Sequence, residues 1–200
     1  MTKELNDLGF HLILWYAPFV TMDSMPYRLL RDNNGILRDA QLKSYGSGYQ
    51  GLPIQWWDGY SAVYDPTSPF GRQWCLDTMR RIMNDYGAEG FFFDGGGTHE
   101  FPPGDYIAYR NDAQPYDLCR AFQSMALEVP FGQCREAWKM GGLPLMQTLR
   151  DKHPTYEAIH QCIADGIESG LLGYPYVTFD MVGGGTVSNF EGENFKAAQD

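Results

Sequence analysis

Residues 90–97, Gly90-Phe91-Phe92-Phe93-Asp94-Gly95-Gly96-Gly97, constrain this chain more than any other stretch. Three bulky aromatics in a row read as a short strand buried on both faces. A carboxylate then stands at the strand's end, and three glycines follow it. Such a segment puts a charge at the rim of a core and an open loop beside it. Parallel α/β barrels gather their chemistry at this end of their strands.

Four more apolar runs resemble this one. They cover Phe10–Pro18, Glu128–Arg135, Leu143–Asp151 and Gly173–Asp180, the second weakened as a strand by Pro130. Helical segments alternate with them. Ser68 followed by Pro69 is a hydroxyl cap with proline in the first turn, and Leu76, Met79, Ile82, Met83 and Tyr86 then repeat at helical spacing up to Gly87. Residues 116–127 predict another helix. Thr155 caps a third, whose stripe is Tyr156, Ile159, Ile163 and Ile167, with Gly170 at its end. Residues 2–8 read as a helix tail stopped by Gly9, and residues 98–115 as a Pro/Gly/Tyr-rich loop. Residues 20–66 read as a long irregular connection with turns at Asp32–Gly35 and Gly46–Gly48 and an aromatic patch at Trp56-Trp57.

Helices alternating with short buried strands argue a parallel α/β architecture. Four of the five strand segments end in a charged residue: Asp94, Arg135, Asp151 and Asp180. In a parallel barrel these ends meet at one face. Phe93-Asp94 and Phe179-Asp180 each precede a glycine run closed by Thr, which reads as equivalent strand-end geometry.

Composition removes several functions. The formal net charge is −10, so the surface disfavours nucleic acid and anionic membranes, which need clusters of Lys and Arg. Cys75, Cys119, Cys134 and Cys162 are far apart and give neither a zinc motif nor a redox motif; buried thiols are the simplest expectation. Four scattered histidines give no metal-ligand spacing, so neither metal nor cofactor is expected. The N-terminus lacks a basic region followed by an apolar run, and no stretch has the length of a membrane-spanning helix. Aromatic residues make up 15%, enough to supply platforms for a flat ligand such as a sugar ring. Trp15, Trp57 and Trp138 are the candidates, although core packing accounts for most aromatics.

Paired carboxylates suit glycoside hydrolysis: one attacks the anomeric carbon while the other, kept protonated, serves the leaving oxygen. Retention of configuration needs the two about 5–5.5 Å apart. Asp94 and Asp151, on separate strand ends, are candidates for the pair. Helix caps and salt bridges are the commoner employment of an Asp at a strand end.

The same residues resemble glycoside hydrolase family 31, the retaining α-glycosidases built on a (β/α)8 barrel. Gly90–Gly96 is similar to a branch whose fourth strand reads Gly-Phe-Lys-Phe-Asp-Ala-Gly-Glu. Leu8–Val20 resembles that family's third strand, and Met22-Asp23-Ser24 with Tyr27 its following loop. Asp65–Pro69 with Trp74 resembles the approach to the nucleophile. Arg135 precedes Asp151 by 16 residues, the spacing between the family's fifth-strand Arg and its acid/base Asp. Gly173-Tyr174-Pro175 and Asp180–Gly184 resemble the seventh strand.

The resemblance implies a partial (β/α)8 TIM-type barrel, strands three to seven, within residues 1–200. It implies Asp94 as nucleophile and Asp151 as acid/base catalyst. The implied reaction is hydrolysis of terminal α-linked glycosides, of α-glucosidase or α-galactosidase type. Arg135 would hold sugar hydroxyls and keep Asp94 ionised, and Asp180 would line the pocket and orient Arg135 or a hydroxyl. The first two strands, the eighth strand and the flanking β-sandwich domains of the family have no counterpart, so a fragment of a larger enzyme is expected. Two departures stand out: Gly97 stands where the branch has Glu, which leaves the sugar open, with Glu100 a candidate substitute; and Phe92 stands where it has Lys, so a charge near Asp94 is lost. Two other readings stay open. One is a catalytically silent, carbohydrate-binding remnant. The other is a phosphate-handling barrel using Gly183–Gly185, a run no Lys or Arg flanks.

Overall fold

Caps and apolar runs set the order of elements in the computed structural model, which describes residues 2–42, 50–102, 104–153 and 155–180. The first part of the chain holds α1 (Thr2–Asp7), β1 (Ile13–Tyr16), β2 (Phe19–Val20), α2 (Met25–Asp32), β3 (Arg38–Asp39), β4 (Ile54–Trp56) and β5 (Gly59–Val63). Next come α3 (Pro69–Tyr86), β6 (Gly90–Phe93), a 3-10 turn (Thr98–Glu100), β7 (Tyr106–Ile107) and α4 (Pro115–Gln123). A second 3-10 segment (Ser124–Glu128) then leads to β8 (Phe131–Cys134), β9 (Met146–Leu149), α5 (Tyr156–Leu171) and β10 (Tyr176–Phe179).

The expected caps form. Ser68 Oγ accepts the N–H of Gly71 at 3.2 Å, and Gly87 closes α3 in the left-handed conformation at φ 70°. Thr155 Oγ1 accepts the N–H of Ala158 at 3.2 Å, and α5 runs on to Leu171, one residue past the predicted stop.

Five strands form one parallel sheet in the order β1-β6-β8-β9-β10. Its register aligns Trp15, Phe92, Gln133, Met146 and Tyr176 in one row. Because side chains alternate across a strand, Phe91 and Phe93 point the other way. They enter the core with Cys75, Leu76 and Met79 of α3 and Phe122 of α4. The Gly90 backbone packs against β8, where an added Cβ would come 2.0 Å from the Phe131 carbonyl oxygen. All four cysteines are buried.

Three expectations change. Residues 20–66 are not an irregular connection in the described part: they carry α2 and the antiparallel sheet β2-β5-β4. Ser24 caps α2 and Pro26 sits in its first turn, the same signature as Ser68-Pro69. Val63, Leu37 and Leu52 build a second core there, which Phe101 completes. The loop 98–115 likewise contains the 3-10 turn and β7, which pairs with β3. The apolar stripe of α5 faces outward. Ala158, Cys162 and Ser169 are its buried residues, whereas Ile163 and Ile167 are 57% and 62% exposed. At Gly166 the helix comes close to β10, where an added Cβ would meet the Phe179 ring at 3.2 Å. The predicted turn at Gly46–Gly48 and the glycine run Gly183–Gly185 lie outside the described residues.

Candidate active site

The ladder of the parallel sheet continues one residue beyond two strands. Asp94 N–H donates to the Tyr16 carbonyl at 2.9 Å, and Arg135 N–H donates to the Phe93 carbonyl at 3.0 Å. Backbone bonds therefore fix both side chains at the rim, on the face that Phe92 occupies. Asp180 follows β10 directly, and Asp151 comes two residues after β9.

Arg135 joins these carboxyl groups. Its Nε donates to Asp94 Oδ1 at 3.0 Å and its Nη2 to Asp180 Oδ2 at 2.5 Å. Nη1 donates to the Leu149 carbonyl at 2.9 Å and lies 3.8 Å from Asp151 Oδ1. The guanidinium sits over the Phe92 ring, 5.1 Å from its centroid. At a position where the resembling branch carries Lys, Phe92 thus presents a π-face to the cation already there. Burial works against the charge of Arg135, but Asp94 and Asp180 outweigh it and its pKa stands above the usual arginine value.

The two candidate catalytic carboxyls have different surroundings. Asp94 accepts from three donors: Arg135 Nε and Gly95 N–H on Oδ1, and Trp15 Nε1 on Oδ2 at 2.8 Å. Among the described residues, the buried Asp151 Oδ1 has no hydrogen-bond partner. The Asp151 carboxyl is raised above the usual aspartate pKa, first by burial and then by Asp180, through a hydrogen bond to the protonated form and through charge. Arg135 pulls it down and Asp94 pushes it up, both to a lesser degree.

A cleft of about 890 Å³ opens over this cluster. Six of the seven predicted site residues line it: Asp94, Asp151, Arg135, Asp180, Trp15 and Trp57. Trp15 is tied by its indole N–H to Asp94 and stacks on Trp56 at 6.2 Å between centroids. Trp56 stacks in turn on Phe19 at 4.2 Å, and Trp57, 79% exposed, stands at the β4–β5 turn as the outer edge of this aromatic wall. Trp138 lies elsewhere. It lines an adjoining cavity of about 510 Å³, and the Lys139 ammonium lies 5.7 Å from its ring centroid. Lys139 takes a positive φ of 51° in this loop.

The cleft also holds Glu100, Glu136, His99, Arg150 and Trp56, of which the sequence singles out Glu100 and the Trp56-Trp57 patch. Glu136 is not singled out by the sequence, where its one distinction is that it follows a strand-end Arg. Burial pushes the Glu100 carboxyl above the usual glutamate pKa; His99 and the N–H groups of Gly96 and Gly97 pull it down, and Glu136 pushes it up. A side chain at Gly97 would collide with the His99 ring, whose Cε1 lies 2.7 Å from an added Cβ. Among the described residues no cluster of His, Cys, Asp and Glu could hold a metal ion, and no helix is long and apolar enough to cross a membrane.

The chain matches the description "Glycosyl hydrolases family 31 TIM-barrel domain" over residues 1–191. The myogenesis-regulating glycosidase of Mus musculus is 28% identical over 193 residues, which are 94% of this chain and 26% of that protein. The 1,3-alpha-isomaltosidase of Kribbella flavida is 23% identical over 198 residues, 92% of this chain and 26% of its own length. Among solved structures, the cycloalternan-degrading enzyme from Trueperella pyogenes superposes with a TM-score of 0.67 at 22% identity, covering 90% of this chain and 27% of that one. A GH31 alpha-xylosidase from a soil metagenome gives 0.65 at 17% identity, covering 90% and 27%. These structural likenesses establish the fold. The chain spans about a quarter of the length of these relatives. With five parallel strands that supply part of an α/β barrel, and a family match along nearly its whole length, this chain belongs to glycosyl hydrolase family 31.

Proposed function

We propose that the protein hydrolyses terminal α-linked glycosides by double displacement, with retention of configuration. The observation that carries this reading is the contrast between Asp94 and Asp151, two carboxyls set against one guanidinium in different environments. Asp94 Oδ1 is occupied by two donors and Oδ2 by one. Oδ2 therefore keeps the freer lone pair for attack on the anomeric carbon. Asp151, its pKa raised by burial and by Asp180, is suited to protonate the leaving oxygen and then to deprotonate the incoming water. Arg135 holds Asp94 and Asp180 in place, and the wall formed by Trp15, Trp56 and Trp57 offers apolar surface to a sugar ring.

The charge of the cleft supports a neutral sugar. Asp94, Glu100, Glu136, Asp151 and Asp180 outnumber Arg135 and Arg150 among its walls, an unfavourable setting for phosphate. One relative reported above is a 1,3-alpha-isomaltosidase. A neighbouring enzyme has been solved with isomaltose and with a covalent intermediate. These names support an α-glucoside ahead of an α-galactoside within the proposal.

The test is a panel of aryl α-glucosides, α-galactosides and α-xylosides, with the anomer of the first product followed by NMR. Retained configuration is expected, with turnover abolished in Asp94→Asn. Near-normal activity of that variant, or an inverted product, refutes the assignment. Binding of sugars without turnover of any panel member would favour a carbohydrate-binding role.

A further inference from the structure

The loop after Asp94 is tied down by a carboxylate of its own. Gly95 and Gly96 both take left-handed conformations, at φ 68° and 70°, and this turns successive N–H groups inward. Gly95 N–H points at Asp94 Oδ1, 2.9 Å away. The next two N–H groups, of Gly96 and Gly97, both donate to Glu100 Oε2, the latter at 3.1 Å. From behind, the Gln123 amide nitrogen donates to the Gly95 carbonyl at 2.9 Å. Glu100 is well placed to hold the loop, because it ends a 3-10 turn anchored by Phe101, which is almost wholly buried.

The glycines cannot easily be replaced as hinges. A Cβ on Gly96 would approach Phe122 Cδ1 to 2.6 Å, and one on Gly95 would approach Phe19 Cε2 to 2.9 Å. The backbone path is therefore set by packing on both sides, while the direction of its N–H groups depends on the acceptor that meets them. Gly96 and Gly97 are buried, so without that acceptor their donors would be unsatisfied. A carboxylate accepts such N–H groups more strongly than a neutral oxygen does.

We propose that Glu100 is a positioning residue for Asp94: it fixes the Gly95–Gly97 peptides through the Gly96 and Gly97 N–H groups and so aims Gly95 N–H at the nucleophile's Oδ1. Its Oε2 is committed to the loop rather than to a substrate hydroxyl. This inference rests on the reading of Asp94 as nucleophile for its kinetic consequence, but its structural core stands apart from that reading.

Two measurements on Glu100→Ala and Glu100→Gln in the intact protein test it together. Hydrogen exchange of the peptide spanning Phe93–Phe101 should show the Gly96 and Gly97 amides exchanging roughly 5–100-fold faster in Glu100→Ala, because two buried donors lose their acceptor. Glu100→Gln, which keeps an acceptor oxygen, should restore most of the protection. On an aryl α-glycoside, kcat should fall roughly 10–100-fold in Glu100→Ala with KM within about threefold, and recover in Glu100→Gln, as expected for a misplaced reacting group. Where Glu100→Ala does not fold, Glu100→Asp withdraws the oxygen by one methylene and carries the same expectations. Unchanged exchange overturns the proposal. So does a raised KM with unchanged kcat, which would assign Glu100 to the substrate. Should the wild-type protein turn over no α-glycoside, the nucleophile reading fails, and exchange alone then decides the role of Glu100.

Discussion

Removing the guanidinium of Arg135 while keeping much of its volume, in Arg135→Met, isolates what the charge contributes. Arg135 is 16% exposed, and it pairs with Asp94 and Asp180, which are 19% and 20% exposed. Deleting one partner of a buried pair costs about 3–5 kcal/mol, because the charges left behind are uncompensated. The Leu149 carbonyl also loses its donor. Water enters this open cleft more readily than a core, so the lower end, about 3 kcal/mol, is the expectation. For a chain of this size that lowers Tm by about 6–12 °C at neutral pH. The cause can be separated from lost packing by pH. Without the cation, the pull of Arg135 that partly offsets the raised pKa of Asp151 is gone, so this carboxyl binds its proton still more readily in the folded state. A folded state that binds more protons loses stability as pH rises, so the deficit of the variant is greatest at neutral pH and shrinks on acidification. Thermal melts of wild type and variant at about pH 7 and about pH 4.5 measure both deficits. A loss of the same size at both values would refute the electrostatic account and assign the effect to packing. Arg135→Lys should recover part of the loss only, since one ammonium cannot span three carboxyls and a carbonyl.

Asp151→Ala should cut turnover of poor leaving groups by roughly 100-fold or more, the scale of general acid catalysis. Glycosides with good leaving groups should be far less affected in the first step; equal losses across a leaving-group series would remove Asp151 from the acid role. The raised carboxyl of Asp151 also has a stability signature. Its contribution is fully present below its unfolded pKa and is lost as pH rises through the higher folded value. Asp151→Asn should therefore be the more stable protein above that window in urea unfolding, and a variant weaker than wild type at neutral pH contradicts this. Gly90→Ala drives a methyl into the Phe131 carbonyl across two paired strands. It should cost more than about 3 kcal/mol, at the diagnostic end of single substitutions; a Tm within two or three degrees of wild type would mean that β6 and β8 are not so closely packed.

The five strands of the parallel sheet were legible from short apolar runs, although most of their residues are only partly buried and Phe92 faces the cleft. Phe91–Phe93 has no alternative to a strand, and the caps Ser68 and Thr155 with the glycine Gly87 mark helices through local hydrogen bonds that the sequence itself encodes. The span 20–66 was not read, because its strands are only two to five residues long and gain their order from pairing with distant partners. The signal for α2 was nevertheless present in Ser24 and Pro26. The α5 stripe shows the limit of periodicity. It identifies a helix face but not its direction, and here the buried residues are the small Ala158, Cys162 and Ser169, with Gly166 close to the Phe179 ring. In the cleft, strand-end charges pointed to Asp94, Arg135, Asp151 and Asp180, since a parallel sheet must bring such ends together. Trp138 sits near Arg135 in sequence yet lines the adjoining cavity, which Arg135 also borders, rather than the cleft. Glu100 and Glu136 depend on loop paths that no periodicity reports.

The central claim is that Asp94 attacks the sugar. A mechanism-based fluoro-α-glycosyl fluoride, which forms the glycosyl-enzyme faster than it is hydrolysed, tests it directly when the labelled protein is digested and its peptides are weighed. The account predicts one covalent sugar on the peptide containing Phe91–Phe101, borne by Asp94 and absent from Asp94→Asn. A stable adduct on Asp151 or Asp180, or on any residue in the Asp94→Asn protein, would contradict it.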